Sequence, residues 1–205
     1  MSTPSSQPVP FVDVDTLRTK FVLAMSAMYK AKVPLYGYLM RIVQEVNEWA
    51  LFKAGRQLED IELDASYERI TLDLERHGAI RLGTPYELQQ VKHIFALLGM
   101  RPVGFYDLSV AGVPMHATCF RPVEMASLER NPFRVFATLL RLDLIKSDHA
   151  RELAANLLAK RRMFSDALLE LLRVGEHQGG RLTATQSEPL SRKLSAHLDG
   201  SPWPE

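Results

Sequence analysis

His77 and Arg81 are the two side chains whose types and spacing most readily do chemistry. They stand four apart in Glu75-Arg-His-Gly-Ala-Ile-Arg-Leu-Gly-Thr84, a stretch whose glycines and β-branched residues disfavour a helix. In an extended segment, positions i, i+2 and i+4 share one face, so His77, Ala79 and Arg81 point the same way. An imidazole can ligate a metal. A planar guanidinium can grip a carboxylate through two parallel hydrogen bonds. Together they suit a site that binds a metal and an acidic substrate. The blander reading is a structural histidine beside an arginine that is paired with Glu75 or Glu87.

Other candidates carry less. His116 lies in Val113-Pro-Met-His-Ala-Thr-Cys-Phe120, and is a second metal ligand only if that strand faces His77 across a sheet; otherwise it sits on a solvated strand face. His93, His149, His177 and His197 have polar or surface settings. Cys119, between Thr118 and Phe120, reads as a packed small hydrophobe rather than a nucleophile. The chain has no cysteine pair for zinc, no His-Glu-x-x-His, no glycine-rich phosphate loop and no Gly-x-Ser-x-Gly elbow.

The elements that must position these residues follow from periodicity and punctuation. A first helix is expected from Asp15 or Thr16, with Leu17, Phe21, Ala24 and Met28 on one stripe. After Pro34 a longer helix carries Leu35, Leu39, Ile42, Val43, Val46 and Ala50 at helical spacing. A short element is expected over Tyr67 to Leu74. Gly78 to Leu82 reads as a strand, and Thr84-Pro85-Tyr86-Glu87 is a capping box that opens a helix with Leu88, Val91, Ile94, Phe95 and Leu98 buried, stopped at Gly99. Pro102 to Leu108 and Val113 to Pro122 read as strands joined by a turn at Ala111-Gly112. Residues 76–122 thus form a βαββ unit. Beyond it a helical layer is expected: one helix capped by Asn131 with Phe133, Phe136, Leu139 and Leu140, then Asp148 to Arg161 and Ser165 to Val174, ended by Gly179-Gly180. The fold class is α+β. Residues 1–12 read as a flexible leader, 13–180 as the folded domain, and 181–205 as a divergent, disordered tail with at most one helix over Ser187 to Leu198.

Composition bounds the function classes. In 205 residues, 46% hydrophobic and 24% charged, there is material for a proper core. A formal net charge of +1 gives no argument for nucleic acid or an anionic membrane as partner. No window approaches the ~20 apolar residues of a membrane span. One cysteine rules out an internal disulfide framework and fits a reducing cytoplasm.

Residues 75–84 resemble the signature of the 2-oxoadipate dioxygenase/decarboxylase (hydroxyglutarate synthase) family. The likeness continues through Met28-Tyr29, Val33-Pro-Leu-Tyr-Gly37, Gly99-Met100 and Tyr106-Asp-Leu-Ser-Val-Ala-Gly-Val-Pro114. It extends to Phe120-Arg-Pro122, Asn131-Pro-Phe-Arg-Val-Phe136 and Gln178-Gly-Gly180, covering about residues 11–180. The resemblance implies a vicinal-oxygen-chelate-like fold, built from βαβββ modules, of which this chain would hold a half-module. It implies a non-haem iron centre, Fe(2+), held by two histidines and a carboxylate. The implied reaction takes 2-oxoadipate and O2 to 2-hydroxyglutarate and CO2 in lysine degradation. The family's first metal histidine falls on His77, and a substrate-carboxylate arginine on Arg81.

The second histidine and the glutamate of that family have no matching segment here. The chain therefore reads as the N-terminal portion of such an enzyme, truncated and short of metal ligands, with apolar surface left for a homo-oligomer to cover. The alternative is a non-catalytic dicarboxylate-binding or interaction fragment.

Overall fold

The computed structural model describes residues 10–55, 77–188 and 190. The element expected over Tyr67 to Leu74, Glu75, His197 and most of the expected tail lie outside the described residues.

Helix α1, Val14–Lys32, starts where Asp13 accepts the Thr16 amide at 2.9 Å, and Lys30 and Lys32 stand at its negative end. It buries Leu17, Phe21, Val22 and Met25. The expected stripe is thus shifted, since Met25 rather than Ala24 fills the core. Helix α2, Pro34–Lys53, has proline at its first turn and buries no residue. Leu35, Leu39, Ile42 and Val46, which recur at helical spacing, are each more than half exposed. Periodicity identified the helix correctly, but periodicity does not supply the surface that would cover it.

Four strands follow: β1 His77–Leu82, β2 Arg101–Asp107, β3 Met115–Arg121 and β4 Arg134–Leu140. Helix α3, Pro85–Leu97, links β1 to β2, with Thr84 accepting the Glu87 amide at 3.2 Å. Gly99 closes it at φ +70°, a conformation that costs glycine little. A 3-10 turn, Ser109–Ala111, and Gly112 at φ +78° connect β2 to β3.

The fourth strand overturns the helix expected after Asn131. Phe133, Val135, Ala137 and Leu139 are all buried, an alternation of period two, while Phe136 and Leu140 face the other way. Asn131 does cap, but it caps a turn. Its Oδ1 accepts the Phe133 amide at 3.1 Å, and its Nδ2 donates to Thr19 Oγ1 at 3.0 Å. The helix here is the short α4, Met125–Arg130, which precedes that turn. The unit is therefore βαβββ, one strand more than expected.

The sheet order is β1-β4-β3-β2, with β1 parallel to β4 and the other pairs antiparallel. One face packs on α1 and α3 through a ring cluster. Phe21 meets Phe95 and Phe133 at 6.5 and 6.2 Å, and Phe95 meets Phe120 at 5.1 Å. Helices α5, Asp148–Lys160, and α6, Asp166–His177, follow as expected, each capped by a serine. Leu168 and Leu172 of α6 join the core, and Gly175 lets α6 approach Leu97 of α3 closely.

The domain edges lie further out than the sequence suggested. Phe11 bridges to Thr183, and the Val12 amide donates to the Leu182 carbonyl at 2.8 Å. Leu182 and Leu190 are core residues, so the fold continues past residue 180.

Candidate functional site

Strand β1 alternates cleanly. Ile80 and Leu82 are buried against the helices, while His77, Ala79 and Arg81 are exposed on the opposite face of the sheet. Rise along a strand separates the His77 and Arg81 Cα atoms by about 13 Å. Register extends the face across the sheet. His77 pairs with Arg134, Ala79 with Phe136 and Arg81 with Thr138. Thr138 pairs in turn with Ala117, and Phe136 with Cys119. Ala117 then pairs with Tyr106, whose ring lies 5.8 Å from that of Phe136. The result is a floor of small residues walled by two rings, with His77, Arg81 and Arg134 at one side.

Neither guanidinium at that side is neutralised by a described carboxylate. Glu87, one suggested partner for Arg81, is buried elsewhere. It accepts the Gly83 amide at 2.6 Å and pairs with Arg161 at 3.1 Å. Arg161 also donates weakly, at 3.4 Å, to the Arg81 carbonyl, which ties the α5–α6 connection to the end of β1.

His116 does not join His77. It pairs with Leu139, and Leu139 pairs with Leu82, which places His116 on the helix-packed face of the sheet. Its ring lies 5.0 Å from Phe105, and its buried Nδ1 has no hydrogen-bond partner among the described residues. A second ligand role alongside His77 fails because a register fixed by hydrogen bonds puts the two imidazoles on opposite faces. His93 bonds Glu176 at 2.7 Å, a link between α3 and α6. Cys119 is nearly covered, and burial pushes its thiol up despite the nearby charges of Arg134 and Arg121.

Iron of the kind the resemblance implies needs about three protein donors in a facial set. Among the described residues no three His, Cys, Asp or Glu side chains cluster, and on the open face His77 shares the sheet only with the covered Cys119. These residues by themselves do not fit a held Fe(2+). Arg134 was missed from sequence because its segment was read as helix; the alternation of residues 133–139 was the available signal.

The sequence pattern of the 2-oxoadipate dioxygenase/decarboxylase family matches residues 21–199, past the point where the quoted motifs end. A Pseudomonas putida protein named 2-oxoadipate dioxygenase/decarboxylase is 49% identical over 178 residues, covering 87% of this chain and 38% of that protein. An Escherichia coli protein of the same name is 48% identical over 169 residues, covering 82% and 37% respectively. The crystal structure of hydroxyglutarate synthase from Pseudomonas putida in complex with 2-oxoadipate superposes with TM-score 0.80 at 48% identity, over 91% of this chain and 41% of that one. A glyoxalase-superfamily protein from Ralstonia eutropha, 16% identical with TM-score 0.58, shares the fold over 96% of this chain and 56% of that one. The chain spans about two fifths of the length of the curated relatives it matches.

Proposed function

The chain belongs to the 2-oxoadipate dioxygenase/decarboxylase family, and from that premise we propose that its open sheet face receives 2-oxoadipate. The activity it serves is the Fe(2+)-dependent conversion of that acid and O2 to 2-hydroxyglutarate and CO2. The observation that carries this reading is the placement of His77 and an unneutralised Arg81 on one exposed strand face. A 2-oxoadipate complex of a 48% identical relative supports the choice of acid.

In this reading Arg81 holds the carboxylate farther from the metal, through the paired hydrogen bonds a guanidinium offers. His77 supplies one metal donor at the other end. Iron, when bound, supplies the oxygen chemistry, and its further donors come from outside the described residues. A homo-oligomer is one arrangement that brings in such donors. The same reading sets the chain in lysine degradation and in the cytoplasm, where a single unpaired cysteine is at home.

Oxygen uptake tests the whole assignment. The purified chain is loaded anaerobically with Fe(2+), then given 2-oxoadipate in aerated buffer beside a His77→Ala control. Uptake that requires both the oxoacid and His77 supports the enzyme reading. The absence of a three-donor cluster among the described residues favours a second reading, a non-catalytic dicarboxylate binder. Folded protein that binds 2-oxoadipate without consuming oxygen supports that one instead.

A further inference from the structure

Arg134 is the cross-strand neighbour of His77. It opens β4, pairs in register with His77, and is exposed on the same face as His77 and Arg81. Its guanidinium makes no ion pair among the described residues, whereas Arg121, further across the face, donates to the Pro122 carbonyl at 2.8 Å. On the neighbouring strand Cys119 pairs with Phe136, two residues along β4 from Arg134 and on the same face.

Spacing then becomes informative. Four residues of rise and one inter-strand step put the Arg81 and Arg134 Cα atoms about 14 Å apart. A six-carbon diacid measures about 6 Å between carboxyl carbons by ordinary bond lengths. A guanidinium bound at each end by two parallel hydrogen bonds adds about 4 Å per end. Two arginines standing roughly upright on the face would therefore bracket such an acid end to end. Ala79 lies between them on β1, where a larger side chain would fill the space.

We propose that Arg134 is a second carboxylate-binding residue of this face, gripping the oxo-acid end beside His77 while Arg81 holds the far carboxylate. The inference rests on the reading of His77 and Arg81 given above, and it adds a residue that assigns each end of the acid its own cation.

Titration calorimetry on the full chain tests it with two acids, 2-oxoadipate and 2-oxohexanoate. They share the oxo-acid end and differ only in the far carboxylate. Arg81→Gln should bring 2-oxoadipate down to the affinity of 2-oxohexanoate. Arg134→Gln should weaken both acids by a similar factor, roughly tenfold or more, as loss of a charged hydrogen-bond pair does. It should keep the preference for the diacid, and Arg134→Lys should recover part of the loss. Both positions are exposed, so unchanged melting temperatures serve as the folding control. Arg134→Gln binding both acids like the unaltered chain overturns the proposal while leaving Arg81 standing. Weakening of 2-oxoadipate alone by Arg134→Gln also overturns it, because the far carboxylate would then be its ligand. Failure of the unaltered chain to bind either acid overturns the Arg81 reading and this one together.

Discussion

At the scale of single residues, the most consequential side chain away from the open face is Arg18. It is fully buried, pairs with Asp15 at 2.8 Å, and donates to the Leu98 and Ser127 carbonyls at 3.2 and 3.0 Å. One guanidinium thus fastens α1 to the end of α3 and to α4. Removing one partner of a buried pair leaves the other charge stranded, which costs about 3–5 kcal/mol. Arg18→Ala should lower the unfolding free energy, read from a urea titration, by that order. Asp13 makes a gentler, pH-dependent case. The Thr16 amide above all, helped by the Thr16 hydroxyl and the Arg130 charge, holds its carboxyl below the usual carboxylate range, against an upward push from burial. Its native pKa is therefore below the unfolded one. The stabilisation is complete above the unfolded value and is lost as pH falls through the native one. Asp13→Ala should cost about 1 kcal/mol at pH 7, the usual worth of a helix cap. The gap between variant and unaltered chain should close in acid melts. His77 and Arg81 sharing one face was legible from sequence, because period-two geometry needs no tertiary information. The separation of His116 from His77 was not, since it depends on which strand pairs with which.

At the scale of elements, α1 and α2 make the instructive comparison. Both have a helical apolar period, and the sequence revealed both helices. Only α1 finds a partner surface. Phe21→Ala should cost about 3–5 kcal/mol, the range for emptying a packed aromatic position. Ile42→Ala on α2 should stay within about 0.5 kcal/mol, as surface changes do. Equilibrium unfolding of the two variants side by side checks the contrast, and equal losses would mean that α2 is covered in solution. The strand β4 was misread for the opposite reason. Asn131-Pro132 looks like a helix start, and Phe133, Phe136 and Leu140 fit a helical spacing as well. What decides is that β1 and β3 each need a partner, and β4 lies between them. Tertiary pairing overrode a local signal.

For the whole molecule, the layers leave one sheet face packed and the other open. Arg161 and Glu87 brace the boundary between them. Their contact at 3.1 Å, with Glu87 buried, holds the α5–α6 connection against the start of α3. Glu87→Ala should cost about 1–3 kcal/mol, because it removes the acceptor of the buried Gly83 amide along with the ion pair to Arg161. It should also loosen the end of β1 that carries Arg81, so oxoacid binding should weaken along with the melting temperature. Intact binding in a destabilised Glu87→Ala chain would show that the face is set by the sheet alone.

The bridge between Phe11 and Thr183 has a consequence for how this fold is made. Those residues come from near the two extremes of the described chain, so their contact closes a loop that takes in nearly all of the fold between them. Such a contact adds to the sequence separation that slows folding. A fluorophore and quencher attached beside these positions would darken when that loop closes, making the seam a clock for its closure.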